Sequence, residues 1–330
     1  MKKVYLVLIT VLVLSLALFG CGTRDQETVM KDLAQVQKDL TSYQSQATMT
    51  VTANNTTQKY SIETWYKAPN FYRIALGNQQ KEITQVIVRN EEGIFVVSPQ
   101  LKKSFRFKGD WAENQGHVYL YHAVLDRILK AKETDFDTAE GKYIFTLNME
   151  PENPLVAKQQ ITLADSNYAP KQVALLDKNK NAVVSVDYES FKTGVEFKDD
   201  AFTPEAAMTL APEDATPVMA GAKDFGIIEP RYVPSGVKLA EPRETKNSIL
   251  LQFQGDTPFS IIEERPAAKV ASLSEGELVD LWGNTGVITG QAGDYRSLHW
   301  IHNGVEFSLT GKMAVDEMVK IAQSMIGGGK

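Results

Sequence analysis

Cysteine is almost missing: the 330-residue chain has one, Cys21. A disulfide framework within the chain is therefore excluded. Histidine is scarce, with His117, His122, His299 and His302 the full set. His117 and His122 stand five apart, so they do not share a helical face as two zinc-binding histidines would. His299 and His302 flank Trp300 in a strand-and-turn pattern, and all four read as structural or surface residues. No Gly-x-Ser-x-Gly occurs, which removes the common hydrolase elbow. Gly311-Lys312 is followed by Met313 where a phosphate loop needs Ser or Thr. Asp177, Asn179 and Asn181 begin a calcium-loop spacing, but Ala182 replaces its glycine and Tyr188 its bidentate acid. The doublets Glu91-Glu92, Asp199-Asp200 and Glu263-Glu264 read as solvated surface. Excess positive charge is absent too: 35 basic against 41 acidic residues give −6. That argues against nucleic acid as a partner, because phosphate binding needs clustered Lys and Arg. The expectation is a non-catalytic protein with no catalytic residue, metal or cofactor.

What is present begins at the N-terminus. Met1-Lys2-Lys3 is positive, and Val4 to Phe19 is apolar except for Thr10 and Ser15. That pattern is a secretory signal, too short for a confident transmembrane span. Leu18-Phe19-Gly20-Cys21 resembles the bacterial lipobox, in which the cysteine becomes diacylated before cleavage. Residues 1–20 are then a signal peptide, and 21–25 a lipid-anchored N-terminus held to the membrane by diacylglyceryl on Cys21. Two acyl chains make a durable anchor where one does not. The expected location is extracytoplasmic, on the cell membrane. Cleavage removes two lysines and no acid from that balance, which leaves −8.

Residues 26–43 show helical spacing, with Val29, Leu33, Val36, Leu40 and Tyr43 on one face. Period-two alternation follows. Ala47, Met49, Val51 and Ala53 alternate with threonines, and Tyr60, Ile62, Thr64 and Tyr66 with Ser61, Glu63 and Trp65. Such segments predict antiparallel strands with one face buried. More strands are predicted through Phe191, interrupted by one helical pattern on Val118, Tyr121, Leu125 and Ile128. Pro204, Pro212 and Pro217 punctuate an Ala- and acid-rich stretch, read as a linker over 206–222. A second unit has strands at 248–253, 259–263, 297–301 and 305–309, with Asn303-Gly304 as a hairpin turn. Its terminal helix is predicted at Val315–Ile326.

The order of these elements resembles the LolA/LolB lipoprotein-carrier superfamily. Trp65-Tyr66-Lys67-Ala68-Pro69-Asn70-Phe71-Tyr72-Arg73 is similar to a carrier strand, its proline turn and the next aromatic strand. Val88-Arg89-Asn90-Glu91-Glu92-Gly93-Ile94-Phe95-Val96-Val97-Ser98-Pro99 is similar to their following hairpin. Ala68 stands where carriers often place an arginine. Ala169 to Asp177 is similar to a segment of MucB/RseB-type regulators. The lipobox together with this layout is closer to YdcC-like and GerS-like lipoproteins of spore formers. Tyr232-Val233-Pro234-Ser235-Gly236, Leu298-His299-Trp300 and Asn303-Gly304 resemble a small domain of unknown function common in those bacteria.

The predicted fold class is mainly β with α: a curved antiparallel half-barrel with a helical lid over 26–205, then a small α+β domain over 223–330. The resemblance implies a role in the cell envelope or in sporulation and germination. A curved sheet has more concave apolar surface than one helix covers. Trp65, Phe71, Phe95, Tyr121, Leu125 and Phe145 are therefore the expected lining for a lipid or acyl ligand. The alternative is a scaffold or regulator binding an envelope protein, such as a cell-wall hydrolase or an anti-sigma factor.

Overall fold

The computed structural model describes residues 24–53, 56–100, 103–107, 118–149, 154–210, 226–265, 276–291, 293–302 and 305–326. The signal segment, Cys21, His117 and most of the expected linker lie outside the described residues.

The threonine-rich alternation becomes the centre of a large sheet. Strands β1 (Ser42–Ala53) and β2 (Thr56–Lys67) pair over their whole length, Ser42 with Lys67 through Ala53 with Thr56. From there β3 (Phe71–Gly77), β4 (Ile83–Asn90), β5 (Gly93–Ser98) and β6 (Lys103–Phe107) step outward as a meander. The chain reappears at the opposite edge as β7 (Thr134–Ala139). It meanders back through β8 (Lys142–Asn148), β9 (Lys158–Ala164) and β10 (Pro170–Leu176) to β11 (Ala182–Thr193), which pairs with β1. All neighbours are antiparallel in this curved eleven-stranded sheet.

Because β6 and β7 are opposite edges, the link between them must cross a face. It carries helix α2 (Tyr121–Lys130), which buries Tyr121, Val124, Leu125 and Ile128. Helix α1 (Gln26–Asp39) lies beside it, buries Val29 and Leu33, and is capped by Asp25, which accepts from Thr28 N–H at 2.9 Å. The Gln37 amide donates to Asp126 at 2.8 Å and ties the two helices. α1 stops at Asp39, earlier than the predicted 26–43, because Leu40 turns extended and Ser42-Tyr43 already belong to β1. The tyrosine at the end of the helical pattern thus points inward from a strand.

The second sheet also matches its prediction, with additions. β12 (Lys238–Leu239), β13 (Arg243–Glu244), β14 (Ser248–Gln254), β15 (Phe259–Glu264), β16 (Glu277–Asp280), β17 (Thr285–Thr289), β18 (Arg296–His302) and β19 (Val305–Gly311) form an eight-stranded sheet. Helix α4 (Val315–Met325) closes one face with Met318, Val319, Ile321, Ala322 and Met325. Glu263 corrects the surface reading of its doublet. Period two turns Glu263 inward and Glu264 outward, and Glu263 is fully buried, accepting from Ile228 N–H at 2.9 Å. The calcium-like segment is a turn, in which Asp177 Oδ1 accepts from the N–H groups of Asn179 and Asn181 at 2.8 Å each.

Candidate functional site

The face of the first sheet that meets α1 and α2 is the inner face. Even residues of β2 and β3 point to it, as do odd residues of β1 and β8. At one end stands an aromatic cluster. Tyr43 packs on Tyr66, Phe191 and Tyr121, with centroids 5.3, 5.4 and 6.1 Å away. Tyr66 continues to Tyr72 at 4.8 Å. The Tyr43 hydroxyl accepts from the first N–H of α2 at 3.2 Å, and the Tyr121 hydroxyl donates to Tyr168 O at 2.7 Å. Burial pushes the hydroxyls of Tyr43 and Tyr121 well above the ordinary phenol range, so both are neutral hydrogen-bonding groups.

The other end of the inner face is closed from outside the domain. β16 and β17 are joined by Leu281-Trp282-Gly283-Asn284, with Leu281 N–H donating to Asn284 O at 2.8 Å. Trp282 has φ +51° and Gly283 +92°, the left-handed pair of a primed two-residue hairpin turn. Glycine is at home there, whereas a bulky residue at positive φ costs about 1–2 kcal/mol. Trp282 is nonetheless only 3 % exposed. A Cβ at Gly283 would come within 2.8 Å of Met49 Cε and 2.9 Å of the Tyr60 ring. Asp280 acts electrostatically on Tyr119, while the Tyr60 hydroxyl donates to Gln58 Oε1. Asn284 also pairs with His302 Nδ1 at 3.3 Å. The hairpin is buried on both faces, at Leu278, Val279, Asp280, Thr285, Gly286 and Val287. At the edge of a sheet that needs a covering layer, and Met49 and Tyr60 belong to it.

The six expected lining residues do not converge. Tyr121, Leu125 and Phe145 are on the inner side, each at most 1 % exposed, inside the core that fills it. Trp65, Phe71 and Phe95 are at odd positions and point to the outer face. There, residues 194–210 cross the sheet: Phe197 stacks on Trp65 at 5.2 Å and Phe202 meets Phe71 at 5.8 Å. The Arg73 guanidinium lies 3.9 Å over the Trp65 ring and 3.7 Å from Glu63. A short helix α3 (Pro204–Met208), capped by Thr203, places Ala207 against Ala75, Val86, Val88, Phe95 and Val97. Packing of the first domain therefore runs to Leu210, past the expected start of the linker at 206.

An open cleft of about 580 Å³ runs beside α1, floored by Val36, Leu40, Tyr121 and Phe191 and rimmed by Asp32, Asp39 and Asn167. At its edge Arg24 pairs with Asp32 and donates to the Tyr168 hydroxyl at 2.9 Å. A polar trough of about 500 Å³ lies at the β7 edge, between Asp135, Thr146, Gln160 and Lys158. Among the described residues no group of three or more His, Cys, Asp or Glu could hold a metal ion. Among them, too, no helix is long and apolar enough to cross a membrane.

Sequence reasoning missed Trp282. Its strands are short and buried on both sides, so they carry no alternation, and Trp-Gly is not a standard hairpin turn pair.

A curved antiparallel sheet closed by helices, with a second sheet domain behind it, is the architecture of this chain. The chain belongs to the YdcC-like sporulation protein family, whose model matches residues 1–202. Residues 227–325 match DUF4367, a domain of unknown function. The sporulation protein YdcC of Bacillus subtilis strain 168 is 32 % identical over 335 aligned residues, covering 99 % of this chain and 98 % of that protein. An uncharacterised protein of Methanocaldococcus jannaschii is 24 % identical over 212 residues, covering 57 % of this chain and 59 % of that one. Solved structures similar to it include MucB, at 14 % identity and TM-score 0.36, covering 92 % of this chain and 98 % of that one. They also include a LolA superfamily protein of Nitrosomonas europaea, at 11 % identity and TM-score 0.30, covering 56 % of this chain and 100 % of that one. A complex of the Clostridioides difficile CwlD amidase with the GerS lipoprotein matches at 17 % identity and TM-score 0.30, covering 54 % of this chain and 99 % of that one.

Proposed function

We propose that this sporulation-family protein is a non-catalytic, membrane-tethered platform for a protein partner on the outer side of the cell membrane. One observation carries the reading: the inner face of the first sheet is filled by its own tyrosines, by α1 and α2 and by the Trp282 turn. A carrier needs an empty apolar groove, whereas a platform needs a rigid body. Close-packed aromatic interiors supply rigidity. The tether is Cys21, through the lipobox.

Native mass spectrometry of the full chain, gently extracted from sporulating cells, tests the platform. The expected mass includes the covalent acyl groups and no stoichiometric free lipid. A retained free lipid would return the protein to the carrier reading. Cys21→Ala tests the tether: the variant is expected to leave the membrane fraction, and firm retention there would refute acylation as the anchor.

A second reading keeps a small apolar ligand. It is favoured by the cleft beside α1, where the half-buried Val36 and Phe191 meet solvent. A lipid located by crosslinking to Phe191 would select it.

A further inference from the structure

We propose that Met49 and Tyr60 form a seat for a protein turn, occupied in cis by Leu281–Asn284 and open to a competing partner once that turn detaches. The seat is defined by close approach. At Gly283 there is no room for a Cβ against Met49 and Tyr60, so the backbone of the turn itself lies on these side chains. Only a turn with glycine at its second central position reaches so near, and the left-handed φ of +92° demands the same residue. The neighbouring Trp282 supplies buried area. The partner that fits is therefore a hairpin tip carrying a large aromatic residue followed by glycine.

Detachment follows from how the turn is held. A tryptophan in the left-handed region is strained, and Thr285 Oγ1 at the hairpin base is buried without a hydrogen-bond partner among the described residues. Leaving the seat relaxes the first and hydrates the second. The opposite end of the inner face has no such backbone strain, and α2 is tied there by the Tyr43 and Tyr121 hydroxyls. The seat deepens the platform reading by naming where a partner docks.

Hydrogen exchange on the full chain tests it. Peptides covering 277–289, 47–51 and 58–62 are expected to exchange together, at least tenfold faster than those covering 43–45 and 121–128. Equal protection at both ends would overturn detachment. Gly283→Val should undock the turn, enlarge the radius of gyration in solution scattering and leave β18 and β19 protected. Unchanged scattering and exchange would overturn the seat. A disulfide-cyclised peptide carrying residues 279–286 is the probe of the vacated seat. It should bind Gly283→Val and not Gly283→Val/Tyr60→Ala, while wild type binds it at least tenfold more weakly. Failure to bind Gly283→Val overturns the seat. Binding there, with no partner protein crosslinked through residue 60 in sporulating cells, leaves the seat standing and refutes the platform.

Discussion

The two ends of the inner face are closed in different ways. At the Tyr43 end the plug is a helix of the same domain, held by hydrogen bonds and stacked rings. At the Met49 end it is a single strained turn lent by the second domain. Both ends are equally dry, since Tyr43 and Met49 are each 0 % exposed. Burial alone therefore does not separate a permanent core from a removable contact. What separates them is how the plug is held: one is a relaxed helix tied by hydrogen bonds, the other a strained turn.

The largest expected effect breaks the permanent end. Tyr43→Ala removes a fully buried ring and the acceptor for Tyr121 N–H, and should cost the first domain about 3–5 kcal/mol. Urea unfolding followed by exchange of β1 peptides measures it. A loss under about 1 kcal/mol would mean that this end is as loosely held as the other.

Acid tests the second domain. Burial depresses His302 from the ordinary imidazole value near 6.5 to about 4, so the folded protein holds it neutral. Below about pH 6.5 the unfolded chain takes up a proton that the folded one refuses. Stability is full above that pH and falls as the pH drops toward 4, by about 3 kcal/mol in all. His299, also lowered by burial, acts in the same direction. Because His302 pairs with Asn284, acid should loosen the turn before it affects the Tyr43 end. Protection of β18 and β19 that stays flat from pH 7 to pH 4.5 would refute this.

Most of the fold was legible because strand periodicity survives where only one face is buried. β1, β2 and β8 show this, and so do β18 and β19, which pair as far as His302 with Val305, while the expected Asn303-Gly304 turn between them lies outside the described residues. The site was less legible. Alternation states which residues share a face, and Trp65 and Tyr66 were already on opposite ones. It does not state that both faces are covered. Trp65, Phe71 and Phe95 are aromatic because residues 194–210 cover the outer face, where Phe197 and Phe202 meet two of them. The Trp282 hairpin was hidden for a related reason: a segment buried on both sides loses the polar–apolar rhythm.

The smallest expected effect carries the sharpest contrast, because its sign is favourable. Each closed end holds a buried threonine hydroxyl with no hydrogen-bond partner among the described residues, Thr64 on the inner face and Thr285 at the base of the hairpin. Replacing an unsatisfied hydroxyl by a methyl of similar shape removes a desolvation cost of about 1–3 kcal/mol, part of which shows as a gain. Thr64→Val should therefore stabilise the first domain by about 1 kcal/mol and leave exchange at Met49 unchanged. Thr285→Val should give a similar gain and also slow exchange at Met49 and Tyr60, because a hydroxyl that no longer seeks water removes one reason for the turn to leave. If the two substitutions act alike on Met49, the ends are one cooperative core, and the distinction between permanent and removable closure fails.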